Sequence, residues 1–201
     1  RKKKKRMGEP TLSISGIVIR KDTNSKSDGI LKVLGETLDK SVTGFCVEND
    51  GGFFLVFECS SRDFANVLRS IFNVFRRNAE SRVVFTIDDT NKKLFSEFQV
   101  LIESSEEDQH EENSGDSEVD IEDVASDIYS RVENISKSIV DAKLKDVKES
   151  KPSLFLSYED IVSISKIDGL FRLDELVEFT SKSVPTTLPS DSCWPAFPSS
   201  K

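Results

Sequence analysis

Side chains that commonly carry out enzymatic chemistry are few in this sequence, and they are not grouped. The single histidine, His110, lies in an acidic stretch, so the apolar segments before it contain no histidine to activate a nucleophile or bind zinc. No strand-like segment is followed by a glycine-rich phosphate-binding pattern such as GxGxxG. We therefore predict a non-enzymatic protein with no catalytic residue, no metal site and no cofactor.

Acidic and cysteine side chains do not change this prediction. Asp88 and Asp89 could bind a divalent cation, but acidic turns are more often simply solvated. Cys46, Cys59 and Cys193 are odd in number and far apart, which argues against a disulfide framework and against a zinc site. We predict that they are buried or unreactive thiols.

Six consecutive basic residues open the sequence. Such a cluster engages polyanions, for example the acidic groove of an importin, the phosphates of a nucleic acid or an anionic membrane. We predict nuclear import, with phosphate contact as a second use and a cytoplasmic protein as the alternative. The residues are Arg1, Lys2, Lys3, Lys4, Lys5 and Arg6.

Four arginines on a predicted amphipathic helix form a second basic surface. Arg62, Arg69 and Arg76 recur every seven residues, opposite the apolar stripe of that helix, and Arg77 adjoins the last of them. Guanidinium groups bind carboxylates and phosphates through two parallel hydrogen bonds. We predict that this face binds an acidic partner, and the alternative is a simply solvated helix surface.

Residues 103–118 are too polar to bury a core and are predicted to form an acidic disordered linker. From residue 103 to residue 130 there are 12 acidic residues and no Lys or Arg. Ser104, Ser105 and Ser117 each precede an acidic residue by three positions, the pattern that acidophilic kinases prefer, so we predict phosphorylation there. Acidic segments of this kind contact basic partners such as histone tails, fold back on basic groups of the same protein, or only keep the protein soluble.

The hydrophobic pattern of residues 11–102 predicts the order β-α-β-β-α-β-β. Its clearest signal is two apolar strands, at 42–48 and 53–59, joined by Asp50, Gly51 and Gly52, which predicts a hairpin. An α+β domain with an antiparallel sheet and helices on one face follows. The β-α-β-β-α-β part of this order is that of the ferredoxin-like split β-α-β, our first choice. The part after residue 30 also resembles roadblock/longin-type regulatory modules and, more faintly, one half of a sliding-clamp subunit.

The C-terminal part is predicted to be helical. Residues 119–149 carry apolar residues mostly three and four apart, which predicts an amphipathic helix of about thirty residues. It could form a coiled coil or pack on the α+β domain. Residues 152–183 predict a helical hairpin, and the ends, 1–10 and 184–201, are predicted to be a basic disordered arm and a disordered Pro/Ser-rich tail. Trp194 and Phe197 in this tail are predicted to dock on a partner, or else to pack on the protein itself.

Together these features favour a nuclear adaptor or regulatory subunit of a multiprotein complex, which binds other protein subunits through its C-terminal helices and tail. The alternative is a nucleic-acid-binding module that uses the basic arm and the arginine-lined helix face. Residues 11–102 contain 12 basic and 12 acidic residues, and this neutrality disfavours the alternative.

Overall fold

A computed structural model describes residues 11–21, 29–75, 80–103, 120–140 and 142–182. These residues form five strands and six α-helices, with one short 3-10 helix. In chain order they are β1 (Leu12–Arg20), α1 (Ile30–Thr37), β2 (Thr43–Glu48), β3 (Gly52–Ser60), α2 (Phe64–Phe75), β4 (Ser81–Thr90), β5 (Phe98–Ile102), α3 (Ile121–Ile139), α4 (Leu144–Ser150), the 3-10 helix (Pro152–Leu154), α5 (Tyr158–Ser165) and α6 (Leu173–Ser181).

The five strands form one sheet in the order β4-β1-β3-β2-β5. The first four strands pair antiparallel, in the strand order and directions of the ferredoxin-like split β-α-β. The predicted α+β class, the ferredoxin-like arrangement and the C-terminal helices are confirmed. The sheet is nevertheless mixed rather than wholly antiparallel, because residues 91–97 cross the end of the sheet and β5 then pairs parallel to β2.

The predicted hairpin joins β2 to β3, and the side chain of Asn49 holds its turn. Its Oδ1 atom accepts hydrogen bonds from the main-chain N–H groups of Gly51, at 2.9 Å, and Gly52, at 3.2 Å. Gly52 has a φ of 151°, and a Cβ atom there would lie 2.0 Å from the carbonyl oxygen of Ile19. Glycine is therefore required by both conformation and space.

Both faces of the sheet are buried, because side chains alternate between them along each strand. In β3, Phe53 and Phe57 pack toward α1 and α2, whereas Phe54 and Val56 pack toward the C-terminal helices. A strand covered on both faces needs a continuous apolar run, as β3 has. The prediction of helices on one face therefore holds for α1 and α2, and α6 lies on their side, whereas α3, α4 and α5 cover the other face.

The segment predicted as one long helix is two helices, and its hydrophobic phase explains the break. Ile128, Val132 and Ile135 are spaced to form one buried stripe on α3. A continuous helix would carry that stripe to positions near 142 and 146, but the next buried apolar residues are Leu144 and Val147. Ending α3 at residue 139 and starting α4 at residue 144 lets both sets face the sheet.

The last two helices do not form a hairpin on one side of the molecule. Helix α5 packs over β1 and β3, while α6 packs on α2 on the opposite face. The chain between them passes the β4 edge of the sheet, where the N–H group of Val83 donates to the carbonyl of Phe171 at 2.8 Å. Among the described residues, no helix is long and apolar enough to cross a membrane.

Candidate peptide-binding groove

A groove of about 360 Å³ lies on the protein surface between α3 and α5. Both helices rest on the sheet through the inner parts of their apolar stripes, and the outer parts of those stripes form the floor of the groove. The floor is apolar throughout. It consists of Val124, Ile128, Leu156, Ile164 and Ile167.

Carboxylates stand on both sides of this floor. Asp123 and Asp127 come from α3, and Asp160 comes from the first turn of α5. The Asp160 carboxylate accepts a hydrogen bond from the Ser157 main-chain N–H at 3.0 Å in a capping box, which fixes its position. The side chains of Asp127 and Asp160 are 59% and 40% exposed, so both carboxylates are accessible to a ligand.

One arginine links the two sides of the groove. The guanidinium of Arg131 lies 2.8 Å from a carboxylate oxygen of Asp127 and 3.6 Å from one of Asp160. Within the described part of the chain, no ion pair reaches Asp123. The rim therefore carries three carboxylates against one guanidinium and is negative overall. An apolar floor with an acidic rim suits a ligand that combines an apolar group with positive charge.

A second polar cluster lies at the opposite end of the sheet from the β2–β3 turn. The hydroxyl groups of Ser13 and Ser61 both donate to the carboxylate of Asp88, and these hydrogen bonds hold the pKa of Asp88 below its ordinary value. The cluster ties β1 and β4 to the turn after β3. No group of three or more His, Cys, Asp or Glu side chains within the described ranges could hold a metal ion.

A polar depression of about 340 Å³ separates α1 from α2. Asp39 and Asp63 stand at its edges, with Asn66 and Ser70 from α2. The main-chain N–H of Ser41 donates to Asp39 at 2.8 Å, and this bond lowers the pKa of the Asp39 carboxyl. Leu38 and Val67 are the apolar residues of its lining, which is otherwise polar.

The predicted arginine face is only partly described, and one of its residues is not on the helix. Helix α2 begins at Phe64, so Arg62 lies in the preceding turn and does not continue the seven-residue row. Arg69 is exposed and its guanidinium donates to Asn66 at 3.3 Å and to the Ser181 hydroxyl of α6 at 3.0 Å. Binding of an acidic partner stays a prediction. Arg76 and Arg77 lie outside the described residues.

The two described cysteines are buried, as predicted. Cys46 lies in β2 and Cys59 in β3, both facing α1 and α2. Burial raises the pKa of both thiols, that of Cys59 to about 12. A thiol with so high a pKa is a poor nucleophile near neutral pH. Cys193 lies outside the described residues.

The remaining predicted sites also lie outside the described residues and stay predictions. They are the basic cluster of Arg1, Lys2, Lys3, Lys4, Lys5 and Arg6, the phosphorylation sites Ser104, Ser105 and Ser117, and the docking residues Trp194 and Phe197.

Sequence reasoning did not identify the groove. Asp123 and Asp127 are four apart on α3, beside Val124 and Ile128, so the acidic edge next to an apolar stripe was present in the sequence. That α5 would lie against this edge, and bring Asp160 with it, depends on a contact between distant parts of the chain. Periodicity within one helix carries no signal for such a contact.

Comparison with known proteins adds little to this description. No protein-family model and no curated protein matches the chain. The weakly similar solved structures include Klebsiella pneumoniae BlrP1 in a calcium and cy-diGMP complex at pH 8.0, with 14% identity over 45% of this chain and 24% of that chain and a TM-score of 0.39. They also include BlrP1 BLUF, with 13% identity over 47% of this chain and 66% of that chain and a TM-score of 0.37. A bacterial light-regulated adenylyl cyclase is similar at 15% identity over 77% of this chain and 40% of that chain, with a TM-score of 0.40. The chain thus spans less than two thirds of each of those chains. The strand order described above defines the chain as an α+β protein of ferredoxin-like topology.

Proposed function

We propose that this protein is a non-enzymatic adaptor or regulatory subunit that binds a segment of a partner protein in the groove between α3 and α5. The observation that carries the proposal is the combination of an apolar floor with an acidic rim on one accessible surface. The groove is formed by the C-terminal helices, which the sequence had favoured for partner binding. Most of the apolar surface of α3 and α5 packs on the sheet, and the groove is a part of it that stays accessible to a partner.

The shape and charge of the groove define the ligand. A volume of about 360 Å³ accommodates one or two apolar side chains but no folded element. The carboxylates of Asp123, Asp127 and Asp160 favour lysine or arginine beside the apolar group. The acidic sequence that precedes α3 adds negative charge along the chain. The expected ligand is therefore a short peptide with a leucine or phenylalanine flanked by basic residues.

Peptide binding tests this proposal directly. Fluorescence anisotropy of labelled peptides that contain one leucine or phenylalanine among lysines and arginines measures the affinity of the full chain. The affinity should fall with increasing salt, because part of it comes from exposed charges. Peptides with the apolar residue replaced by serine, or with the basic residues replaced by glutamate, should bind weakly or not at all.

A matched pair of tryptophan substitutions separates binding in the groove from other effects. Ser163→Trp places a large side chain in the groove from an exposed position on α5 and should abolish binding. Ser126→Trp adds the same side chain to an exposed position of α3 that does not line the groove, and should leave the affinity unchanged. Asp123→Asn should weaken binding and reduce its salt dependence.

Two results would contradict the proposal. If Ser163→Trp and Ser126→Trp bind the peptide equally well, the ligand does not occupy the groove. If no basic apolar peptide binds but single-stranded nucleic acid does, with a steep dependence on salt, the nucleic-acid-binding alternative is favoured instead.

A further inference from the structure

The outer edge of the sheet at β5 is open. In the parallel pairing of β5 with β2, the main-chain groups of alternate residues point to β2, as shown by the bonds from Gly44 to Glu97 and from Glu103 to Glu48. The residues between them, Phe98, Val100 and Ile102, therefore direct their N–H and C=O groups away from β2. Within the described ranges, no hydrogen bond is made to these outward groups.

The side chains of the same three residues make this edge apolar. They share one face of the strand because residues two apart point the same way. Phe98 is half-buried against α1 and α2, whereas Val100 is 41% and Ile102 is 65% exposed. An open strand edge with exposed branched apolar side chains is an arrangement that soluble proteins normally avoid or use for pairing.

The other edge of the sheet, at β4, is partly covered and otherwise polar. At β4 the chain between α5 and α6 pairs with the strand at Arg82 and Val83, so that part of the edge is covered from within the molecule. Farther along β4, the exposed residues Thr86, Asp88 and Asp89 are polar. Of the two edges, β5 is therefore the one that combines unbonded main-chain groups with exposed apolar side chains.

We propose that β5 pairs antiparallel with β5 of a second copy of this chain, which joins the two sheets into one. The sequence of β5 is self-complementary in this register. With Val100 on the two-fold axis, Val100 faces Val100 and Phe98 faces Ile102 of the second copy, so every outward main-chain group is bonded and the facing pairs on this face of the strand are apolar, while Gln99 faces Leu101 on the other face.

The charges at the ends of the strand permit this pairing. In the same register Glu97 approaches Glu103 of the second copy, which alone would be unfavourable. The carboxylate of Glu103 already lies 2.9 Å from the ammonium group of Lys148 on α4, so its charge is compensated. Pairing with an unrelated strand would not require Lys148 to neutralise Glu103. It would also not require apolar residues placed symmetrically about Val100.

Cysteine cross-linking tests the register. Residues that face each other as a hydrogen-bonded antiparallel pair have Cα atoms about 5.5 Å apart, within the range for a disulfide. Val100→Cys, in a background with Cys193→Ser, should therefore form a covalent dimer under mild oxidation. Ile102→Cys is the control, because the two Cys side chains would be about four residues, or about 13 Å, apart along the paired strands. This control position is the more exposed of the two.

Sedimentation of the full chain over a range of concentrations tests the interface without cross-linking. The unmodified protein should be dimeric at high concentration, and Val100→Lys should make it monomeric by placing like charges on the axis. Phe179→Lys removes an apolar side chain that is 72% exposed on α6, away from β5, and should leave the dimer intact. Circular dichroism of each variant verifies that the fold is kept.

Three results would overturn the proposal. The protein could be monomeric at every concentration, or Ile102→Cys could cross-link as readily as Val100→Cys, which would indicate random collision or another register. A dimer that Val100→Lys leaves intact would use a different surface.

Discussion

A buried carboxylate on the central strand β3 determines how the chain reaches β5. Glu58 is 1% exposed, and its oxygens accept hydrogen bonds from the main-chain N–H groups of Leu94, at 2.8 Å, and Phe95, at 3.3 Å. The Thr43 hydroxyl donates to the same carboxylate at 2.9 Å. Leu94 and Phe95 belong to the segment that crosses the end of the sheet, so Glu58 fastens this crossing to the core.

Removing this carboxylate should destabilise the protein substantially. In Glu58→Ala two main-chain N–H groups lose their acceptor, and each such loss costs about 1–3 kcal/mol, which predicts a fall of about 2–6 kcal/mol in the free energy of unfolding. Glu58→Gln keeps the shape and one acceptor oxygen but brings its amide N–H₂ toward the donors Phe95 and Thr43. Its loss should be smaller, about 1–3 kcal/mol.

Urea unfolding and amide hydrogen exchange together check this prediction. The exchange of the Leu94 and Phe95 amides in Glu58→Ala should accelerate more than that of the β1 and β3 amides. The matched control is Glu97→Ala, which removes an exposed carboxylate from the same region and should change the free energy of unfolding by less than about 0.5 kcal/mol. Equal effects of the two substitutions, or unchanged exchange at Leu94 and Phe95, would refute the reasoning.

Two further predictions concern ionisable groups. With a pKa of about 12, Cys59 is almost wholly protonated at about pH 8, and the pKa of Cys46 is raised as well. Both thiols should therefore react with a thiol reagent at least about 100-fold more slowly in the folded protein than in urea, as measured by absorbance. Equal rates would show that these strands open readily. Because its pKa is lowered on folding, Asp88 contributes stability above its unfolded pKa of about 3.9, and this contribution is lost as the pH falls through the folded pKa. Asp88→Asn should therefore reduce the difference in unfolding free energy between about pH 6 and about pH 3, and an unchanged difference would contradict it.

Features set by neighbouring residues were predictable from the sequence. The β2–β3 hairpin depends on Gly51 and Gly52 between two apolar runs, and the structure confirms it. The stripe of α2 was also predictable, since Val67, Leu68 and Ile71 are buried as their spacing requires. The start of α2 was not, because the Ser60 hydroxyl donates to Asp63 and the chain turns once more before Phe64.

Features set by distant contacts were not predictable in the same way. The sequence predicts a strand after β4 but does not show with which strand it pairs. Nothing in the polar turn between the two strands shows that residues 91–97 would cross the sheet. The acceptor that holds the crossing, Glu58, lies more than thirty residues earlier, in a strand whose other residues are mostly apolar. A single acidic residue in such a strand signals a buried polar contact but does not identify its partner.

The position of the C-terminal helices follows from the second face of β3 and β2. Phe45, Phe54 and Val56 are apolar on the face away from α1 and α2, and a sheet exposed there would present a large apolar surface to water. The apolar stripe of the amphipathic α3 must also be buried, and α3 and this face of the sheet bury each other within one chain. A coiled coil through this stripe would expose that face of the sheet again. Both proposed binding surfaces lie at the margins of this packed core, one where α3 meets α5 and one where β5 ends the sheet.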